Sequence, residues 1–360
     1  MDLAAFDYHL PEELIAQEPL ADRAASRMLV VYRDEQRFED RAFREFPSFL
    51  GPGDCLVLND SRVFPARLLG HRAGVRSLPI GKRNRKRREY LSGEVEVLLL
   101  RARNAQHTEW DALVRPGRKM PVGERLSFSG AAPADRLEAE ITGRGEFGER
   151  TIRFLTQADP FAEFEKLGHV PLPPYIRRSD QAQDRERYQT VFAREPGSAA
   201  APTAGLHFTP EILEACRARG AEIAYVTLHV GLGTFQPLRA EAVEQARLHS
   251  EHYAISAEAA AKMQAARRLI MAGTTSVRTV ETALAGGPLA AREGETDLFI
   301  YPGFPFRGTG ALLTNFHLPR SSLLLLVCAF AGTELALAAY RHAVAERYRF
   351  YSFGDCMLIL

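Results

Sequence analysis

At 360 residues, with 46% hydrophobic and 25% charged side chains, the chain has a globular composition and enough material for about two domains. Lys and Arg (46) exceed Asp and Glu (45) by one, so the chain as a whole is excluded as a cationic surface for nucleic acid, and only a local patch would serve a polyanion. The acidic start Met1–Asp7 resembles no leader, the most apolar run, Leu323–Ala331, is far short of the roughly 20 residues of a membrane span, and Cys55, Cys216, Cys328 and Cys356 lack metal-site spacing, so a cytoplasmic chain with reduced thiols, no membrane and no metal is expected.

In chain order, Asp7–Leu10 is extended and Pro11 opens a short helix, after which Met28–Tyr32 reads as a strand. Phe43–Leu50 reads as a short helix ended by Pro47. Cys55–Leu58 is a buried strand that delivers Asn59-Asp60-Ser61-Arg62 at its end. Polar groups there are either ligand contacts of an α/β sheet or turn residues closing on their own backbone. From Ala66 to about Leu155 the pattern becomes short and alternating. Glu94–Leu100, Glu109–Arg115, Glu124–Phe128, Arg136–Thr142 and Glu149–Leu155 predict a small β-barrel or sandwich. It is read as a domain of residues 66–155 inserted between 1–65 and 156–360. Inside it, Lys82-Arg83-Asn84-Arg85-Lys86-Arg87-Arg88 puts six cations into seven residues, which suits phosphate contact or a solvated loop tip.

Helical periodicity returns at Pro160–Leu167, followed by the proline-stiffened His169–Arg178 and a helix over Asp184–Phe192. In that helix Arg187 and Tyr188 suit a phosphate and a base, or surface ion pairing. Gly197–Thr209 is too small and polar for core, and its Thr209-Pro210-Glu211 end is a helix start. Helices Pro210–Arg219, Ser256–Arg267, Val277–Ala285 and Gly332–Tyr348 then alternate with strands Ile223–Val230, Leu269–Ala272, Asp297–Tyr301 and Cys356–Leu360. That alternation predicts an α/β fold with a mostly parallel sheet, whose reactive groups collect at the carboxyl ends of the strands.

Those ends carry polar clusters: Leu228–Phe235, Gly273–Arg278, Tyr301–Phe304 and Thr314–Pro319. In the second, hydroxyls and free N–H groups suit a carboxylate or phosphate, and Thr275 or Ser276 also suits a helix cap. His249-Ser250-Glu251-His252 has a three-residue imidazole spacing, which excludes His-Glu-x-x-His zinc geometry but leaves a carboxylate beside imidazoles as a candidate base. A P-loop, a Gly-x-Gly-x-x-Gly turn, a Gly-x-Ser-x-Gly elbow and a Cys-x-x-x-Cys-x-x-Cys cluster are all missing, which removes the main support for nucleotide-triphosphatase, dehydrogenase, serine-hydrolase and radical chemistry.

The stretches Asp7–Ile15, Ser26–Val31, Gly53–Gly70, Pro171–Arg177, Asp184–Thr209, Leu228–Pro237, Leu248–Tyr253, Gly273–Thr282, Ile300–Gly303, Leu313–Gly332 and Tyr348–Ile359 together closely resemble the family of S-adenosylmethionine:tRNA ribosyltransferase-isomerases of queuosine biosynthesis. Ala73–Ser92 departs from the family as a longer, more basic segment. The resemblance implies a larger α/β domain with an inserted β-barrel. It also implies transfer and isomerisation of the ribosyl group of S-adenosylmethionine, a co-substrate, onto 7-aminomethyl-7-deazaguanine at the tRNA wobble position. Adenine and methionine would leave, epoxyqueuosine would form, and neither metal nor redox cofactor would take part. On that footing His229, His252 or Glu251 is the expected base, and His207 or His317 the acid for adenine departure. Thr274, Thr275 and Arg278 are expected on the methionine carboxylate, Asp60 on ribose hydroxyls or the ammonium, and Ser198 and Thr203 along the pocket wall. Arg62, Arg177, Arg187 and the run Lys82, Arg83, Arg85, Lys86, Arg87 and Arg88 are expected on tRNA phosphates. A monomer is favoured. The alternatives are an S-adenosylmethionine-dependent RNA methyltransferase and a non-enzymatic RNA-binding module.

Overall fold

The computed structural model describes residues 1–74, 94–117, 120–130, 132, 135–145, 149–231, 243–246 and 248–360. Its first strands are β1 (Arg27–Tyr32), β2 (Arg37–Ala42), β3 (Asp54–Asn59) and β4 (Ser61–Val63). Then come β5 (Arg67–Arg72), β6 (Glu94–Ala102), β7 (Glu109–Arg115), β8 (Arg125–Ser129), β9 (Arg136–Arg144) and β10 (Glu149–Phe154). Helices α1 (Pro160–Leu167) and α2 (Asp184–Arg187) lead to β11 (Glu195–Ser198), α3 (Pro210–Ala218), β12 (Glu222–Leu228) and β13 (Glu251–Ile255). The chain closes with α4 (Ala257–Ala265), β14 (Arg268–Ala272), α5 (Thr274–Ala285), β15 (Arg292–Thr296), β16 (Thr309–Asn315), α6 (Ser322–Ala331), α7 (Thr333–Ala345) and β17 (Cys356–Ile359).

Among the described residues the large sheet has nine strands, ordered β15-β13-β12-β3-β14-β16-β17-β1-β2. Its central strands are buried on both faces because their period-two side chains feed two cores. Cys55 and Val57 of β3 face one and Leu56 and Leu58 the other, and Met271 and Ile270 of β14 divide the same way. The expected parallel pairing holds at the centre, where β3 joins β12 and β14, and β14 joins β16. Antiparallel pairs β12–β13, β13–β15, β16–β17 and β1–β2 make the whole sheet mixed. The consequence for function is directional: β3, β12, β14 and β16 all end along one edge, at Asn59, Leu228, Ala272 and Asn315.

The expected second body is present as a closed antiparallel barrel, ordered β10-β7-β6-β5-β8-β9. Alternate residues point inward, and Val95, Val97, Leu99, Trp110, Ala112, Val114 and Phe128 fill the interior with each other. Helix α1 caps this core: Phe164, fully buried, packs edge-on against Trp110 and Phe154 at centroid distances of 5.7 and 5.0 Å. The basic run Lys82–Arg88 lies outside the described residues.

Several sequence expectations need correction. Strands β2 and β15 escape prediction because they are edge strands rich in exposed charge, such as Arg37 and Arg41 or Glu293 and Glu295. Asp297–Tyr301 is not a strand, although Ile300 is anchored in the core. The helix expected over Asp184–Phe192 stops at Arg187, and Tyr188 is buried, so it cannot stack on a base. Pro47 sits within the 3-10 turn Phe43–Phe49 rather than ending it. Gly332, at φ +86, separates α6 from α7, so the last long helix begins at Thr333.

Because Phe164 closes the barrel core, Phe164→Ala is expected to destabilise the protein by about 3–5 kcal/mol, the range for emptying a buried aromatic site. Chemical denaturation should show this as a lowered midpoint.

Candidate active site at the carboxyl edge of the sheet

Pairing of Leu228 with Tyr253 brings His229 opposite His252 at the end of the β12–β13 ladder. The His229 N–H donates to the His252 carbonyl at 3.0 Å, and the two imidazoles lie side by side, 6.0 Å between centroids and 18° between planes. The Nδ1 of His229 is buried and has no hydrogen-bond partner among the described residues. Desolvation, with His252 beside it, pushes the His229 imidazole down to about 4, so it is neutral at neutral pH. Gly197, at φ +138, faces this ring. A Cβ there would lie 3.1–3.3 Å from three of the ring atoms, so glycine lets β11 approach the imidazole.

Glu251 and Arg278 form a buried ion pair, each side chain about 5% exposed. Arg278 Nε also donates to the Leu298 carbonyl at 3.0 Å, and Glu251 accepts from the Gly231 N–H at 2.9 Å. This corrects two expectations together. Glu251 is neutralised by a guanidinium rather than poised as a base, and Arg278 is committed to Glu251 rather than open to a substrate carboxylate.

The helix α5 starts directly after β14. Gly273 is its N-cap at φ +93, in place of the Thr275 or Ser276 cap expected from sequence. The first-turn N–H groups of such a helix have no intrahelical partner and carry partial positive charge. Thr274 and Thr275 are buried here, and the Thr275 hydroxyl has no partner among the described residues. Ser276 instead donates to the Ala272 carbonyl at 3.0 Å. Thr203 is half-buried at the start of the 3-10 turn Thr203–His207, whose Ala204 lies next to Gly273.

Other expected site residues are occupied structurally. His207 bridges Ser26 Oγ at 2.8 Å and Asn315 Oδ1 at 3.3 Å, and burial pushes it down to about 4. His317 meets the Thr314 hydroxyl at 2.8 Å through Nε2, its carbonyl accepts from Tyr8, and burial pushes it down to about 3. Neither is charged near neutrality, which weakens both as acids. The Ser198 hydroxyl donates to the Ala200 carbonyl at 2.7 Å and accepts from the Val230 N–H at 3.0 Å, stapling β11 to the end of β12. Asp60, buried, accepts from Thr227 Oγ1 at 2.8 Å and pairs with Arg194 at 3.0 Å. Arg187 holds the Leu20 and Ala21 carbonyls rather than standing free for phosphate. Arg177 pairs with the exposed Glu12 through two contacts of 3.0 Å. Arg62 is exposed and has no ion-pair partner among the described residues.

The sequence reading placed Asn59 and Asn315 at strand ends but gave neither a role in the site. Asn59 bonds both the N–H and C=O of Leu228, at 3.1 and 3.0 Å, tying β3 to the strand that carries His229. Its signal was an amide at the end of an apolar strand, which has no side-chain partner nearby in sequence.

A family model described as queuosine biosynthesis protein matches residues 3–359. The chain is 68% identical to the S-adenosylmethionine:tRNA ribosyltransferase-isomerase of Solibacter usitatus and 50% identical to that of Symbiobacterium thermophilum, with 100% of each chain covered in both cases. It is also similar to a crystal structure of S-adenosylmethionine tRNA ribosyltransferase from Thermotoga maritima, at 40% identity and a TM-score of 0.53, covering 99% of this chain and 100% of that one.

Removing one partner of a buried ion pair strands the other charge, at about 3–5 kcal/mol. Arg278→Met should therefore destabilise by that order, and the double variant with Glu251→Gln should recover much of the loss in a denaturation cycle. A second expectation concerns pH. His207, His229 and His317 have folded-state values lowered to about 4, 4 and 3 from the ordinary 6.5. The unfolded chain therefore binds more protons below 6.5, so stability is full above that pH and falls as pH drops toward 4. Each histidine contributes up to about 1.4 kcal/mol per pH unit. His317→Gln should flatten the pH slope of the denaturation free energy between pH 6 and 5 by about one proton; an unchanged slope would refute this assignment.

Proposed function

The chain belongs to the queuosine biosynthesis protein family, and on that premise we propose that it is an S-adenosylmethionine:tRNA ribosyltransferase-isomerase. Its acceptor is the aminomethyl group of 7-deazaguanine at the tRNA wobble position, and its products are epoxyqueuosine, adenine and methionine. The observation that carries the reading is the unpartnered, buried Nδ1 of His229 at the strand-end edge. A neutral imidazole there is a base waiting for a proton, and the sulfonium of the donor acidifies the adjacent 5′ carbon enough for such a base to act.

The residues divide the work by what they have free. His229 removes the 5′ proton. The α5 N-terminus and the Thr275 hydroxyl receive the methionine carboxylate, since helix N–H groups favour anions. His252, whose Nδ1 lies 3.7 Å from Glu295, is the ring left to meet the departing adenine. Methionine leaves with the electron pair of the carbon–sulfur bond, and the acceptor nitrogen bonds to the rearranged five-carbon ring as it gives up one N–H proton to solvent. Transfer and rearrangement demand orientation more than a covalent nucleophile, which suits a site made of fixed strand ends. The overall change is redox-neutral, so the proposal includes no metal or redox cofactor. Arg62 is free to meet a tRNA phosphate.

Incubating the protein with labelled donor and precursor tRNA should release adenine and methionine in equal amounts. Formation of S-adenosylhomocysteine instead would replace the proposal with methyl transfer. His229→Gln should lower kcat by about 100-fold or more, as expected for loss of a general base. Thr275→Val should chiefly raise the donor KM, by about tenfold, as for a lost hydrogen bond to a charged group.

A further inference from the structure

A second site lies away from the histidines, where the segment after α1 passes over the outside of the barrel. On the barrel wall, Arg67, Leu98 and Leu113 stand in one cross-strand row, and Glu96 and Arg115 in the next. Leu98 and Leu113 point outward, since their neighbours Val97, Leu99, Ala112 and Val114 fill the interior. An outward leucine pair on a small barrel is unusual unless something covers it.

The covering is only partial. The segment is pinned to the wall at one end, where Arg67 and His169 exchange backbone hydrogen bonds of 3.3 and 2.8 Å. At the other end Arg178 grips the fully buried Asp184 at 2.6 and 2.9 Å. Between these anchors Pro171, Pro173 and Pro174 restrict the backbone and withhold N–H donors, so the segment bridges the wall without pairing to it. Beneath it remains a cleft of about 480 Å³ with a leucine and proline interior. Its rim carries Arg67, Arg115, Arg177 and Arg178 against the single carboxylate Glu96. Arg67 is paired with Glu96 at 2.9 Å, whereas Arg115 is exposed with no ion-pair partner among the described residues. The Arg177–Glu12 pair is about 70% exposed on both sides, and such pairs exchange readily for a phosphate.

We propose that this cleft holds one unstacked nucleotide of the acceptor RNA, its base against the leucine and proline interior and its phosphate on Arg115 and Arg177. The occupant follows from the chemistry of the walls: a rigid slot with apolar faces takes a flat base, and a guanidinium rim takes a phosphate. Loops expose such bases, while an RNA duplex keeps them stacked inside. The inference rests on the reading that the acceptor is tRNA, but it concerns a place distinct from the histidine pair.

The test is fluorescence anisotropy of the full-length protein with a labelled anticodon stem–loop RNA and with a blunt duplex of the same stem. Arg115→Ala should weaken stem–loop binding about five- to tenfold and lower the slope of log affinity against log salt by about one; Arg115→Lys should restore the slope. Leu113→Trp, which fills the slot from the barrel wall, should weaken the stem–loop about fivefold, leaving the salt slope and the duplex affinity unchanged. Equal stem–loop affinity for wild type, Arg115→Ala and Leu113→Trp would overturn the inference. So would a loss confined to Arg115→Ala, because the base would then not occupy the cleft. Unfolding midpoints within error of wild type are expected for all three variants, and binding loss that tracks a lowered midpoint would count against the proposal. Failure of the wild-type protein to bind tRNA or release adenine would instead refute the functional reading beneath it.

Discussion

The carboxyl edge of the sheet depends on the buried pair of Arg278 and Glu251. Two charges withdrawn from water cost several kcal/mol each before any gain, and the pair persists only because its remaining bonding capacity is used. Arg278 reaches the Leu298 carbonyl, Glu251 reaches the Gly231 N–H, and the two ions hold each other. The result is mechanical. These three bonds join α5, β13, the turn after β12 and the segment that leaves β15. His252 is the residue after Glu251, and His229 lies two residues before Gly231. Both imidazoles therefore stand on backbone that this ion pair fixes, although neither touches it through a hydrogen bond.

The sheet supplies direction and the barrel supplies surface. Parallel pairing at the centre of the sheet makes β3, β12, β14 and β16 stop together, so residues from four distant parts of the chain meet without long loops. Helix α5 then begins within two residues of β14, aiming its unpaired N–H groups along that edge. The barrel contributes nothing through its interior, which Trp110, Phe128 and Phe164 occupy. What it offers is its outer wall, and the proline-fixed segment turns part of that wall into a cleft. A barrel filled by its own close-packed side chains can be a rigid platform for a large partner.

Residue types at the edge were legible in sequence; their partners were not. Clusters such as Gly273–Arg278 and Leu228–Gly231 stand out because polar residues interrupt apolar strands. The same pattern arises whether a polar group waits for a ligand or is already satisfied, and the difference lies with residues far along the chain. Ser198 is used by Val230, Asp60 by Thr227 and Arg194, and Arg278 by Glu251, at separations of 27 to 167 residues. The alternating barrel strands were readable from their own side chains, because each has one wet face and one dry face. Edge strands β2 and β15 were hidden for the converse reason: with little burial, their composition resembles a loop. Asp297–Tyr301 misled in the opposite sense, since Ile300 is hydrophobic in order to anchor a connection to the core.

The histidine pair shows why burial matters to a cationic donor. Two protonated imidazoles stacked 6.0 Å apart would repel each other. Desolvation, with His252 beside the ring, keeps His229 neutral. A sulfonium brought to a comparable distance would meet a similar repulsion from a charged ring and none from a neutral one. The burial that withholds a proton from His229 thus performs two tasks, keeping a lone pair available and removing a barrier to the donor. Glu251 complements this by remaining paired with Arg278. A free carboxylate beside His229 would favour the imidazolium and undo both effects, so the ion pair serves the chemistry by cancelling charge as much as by fixing backbone.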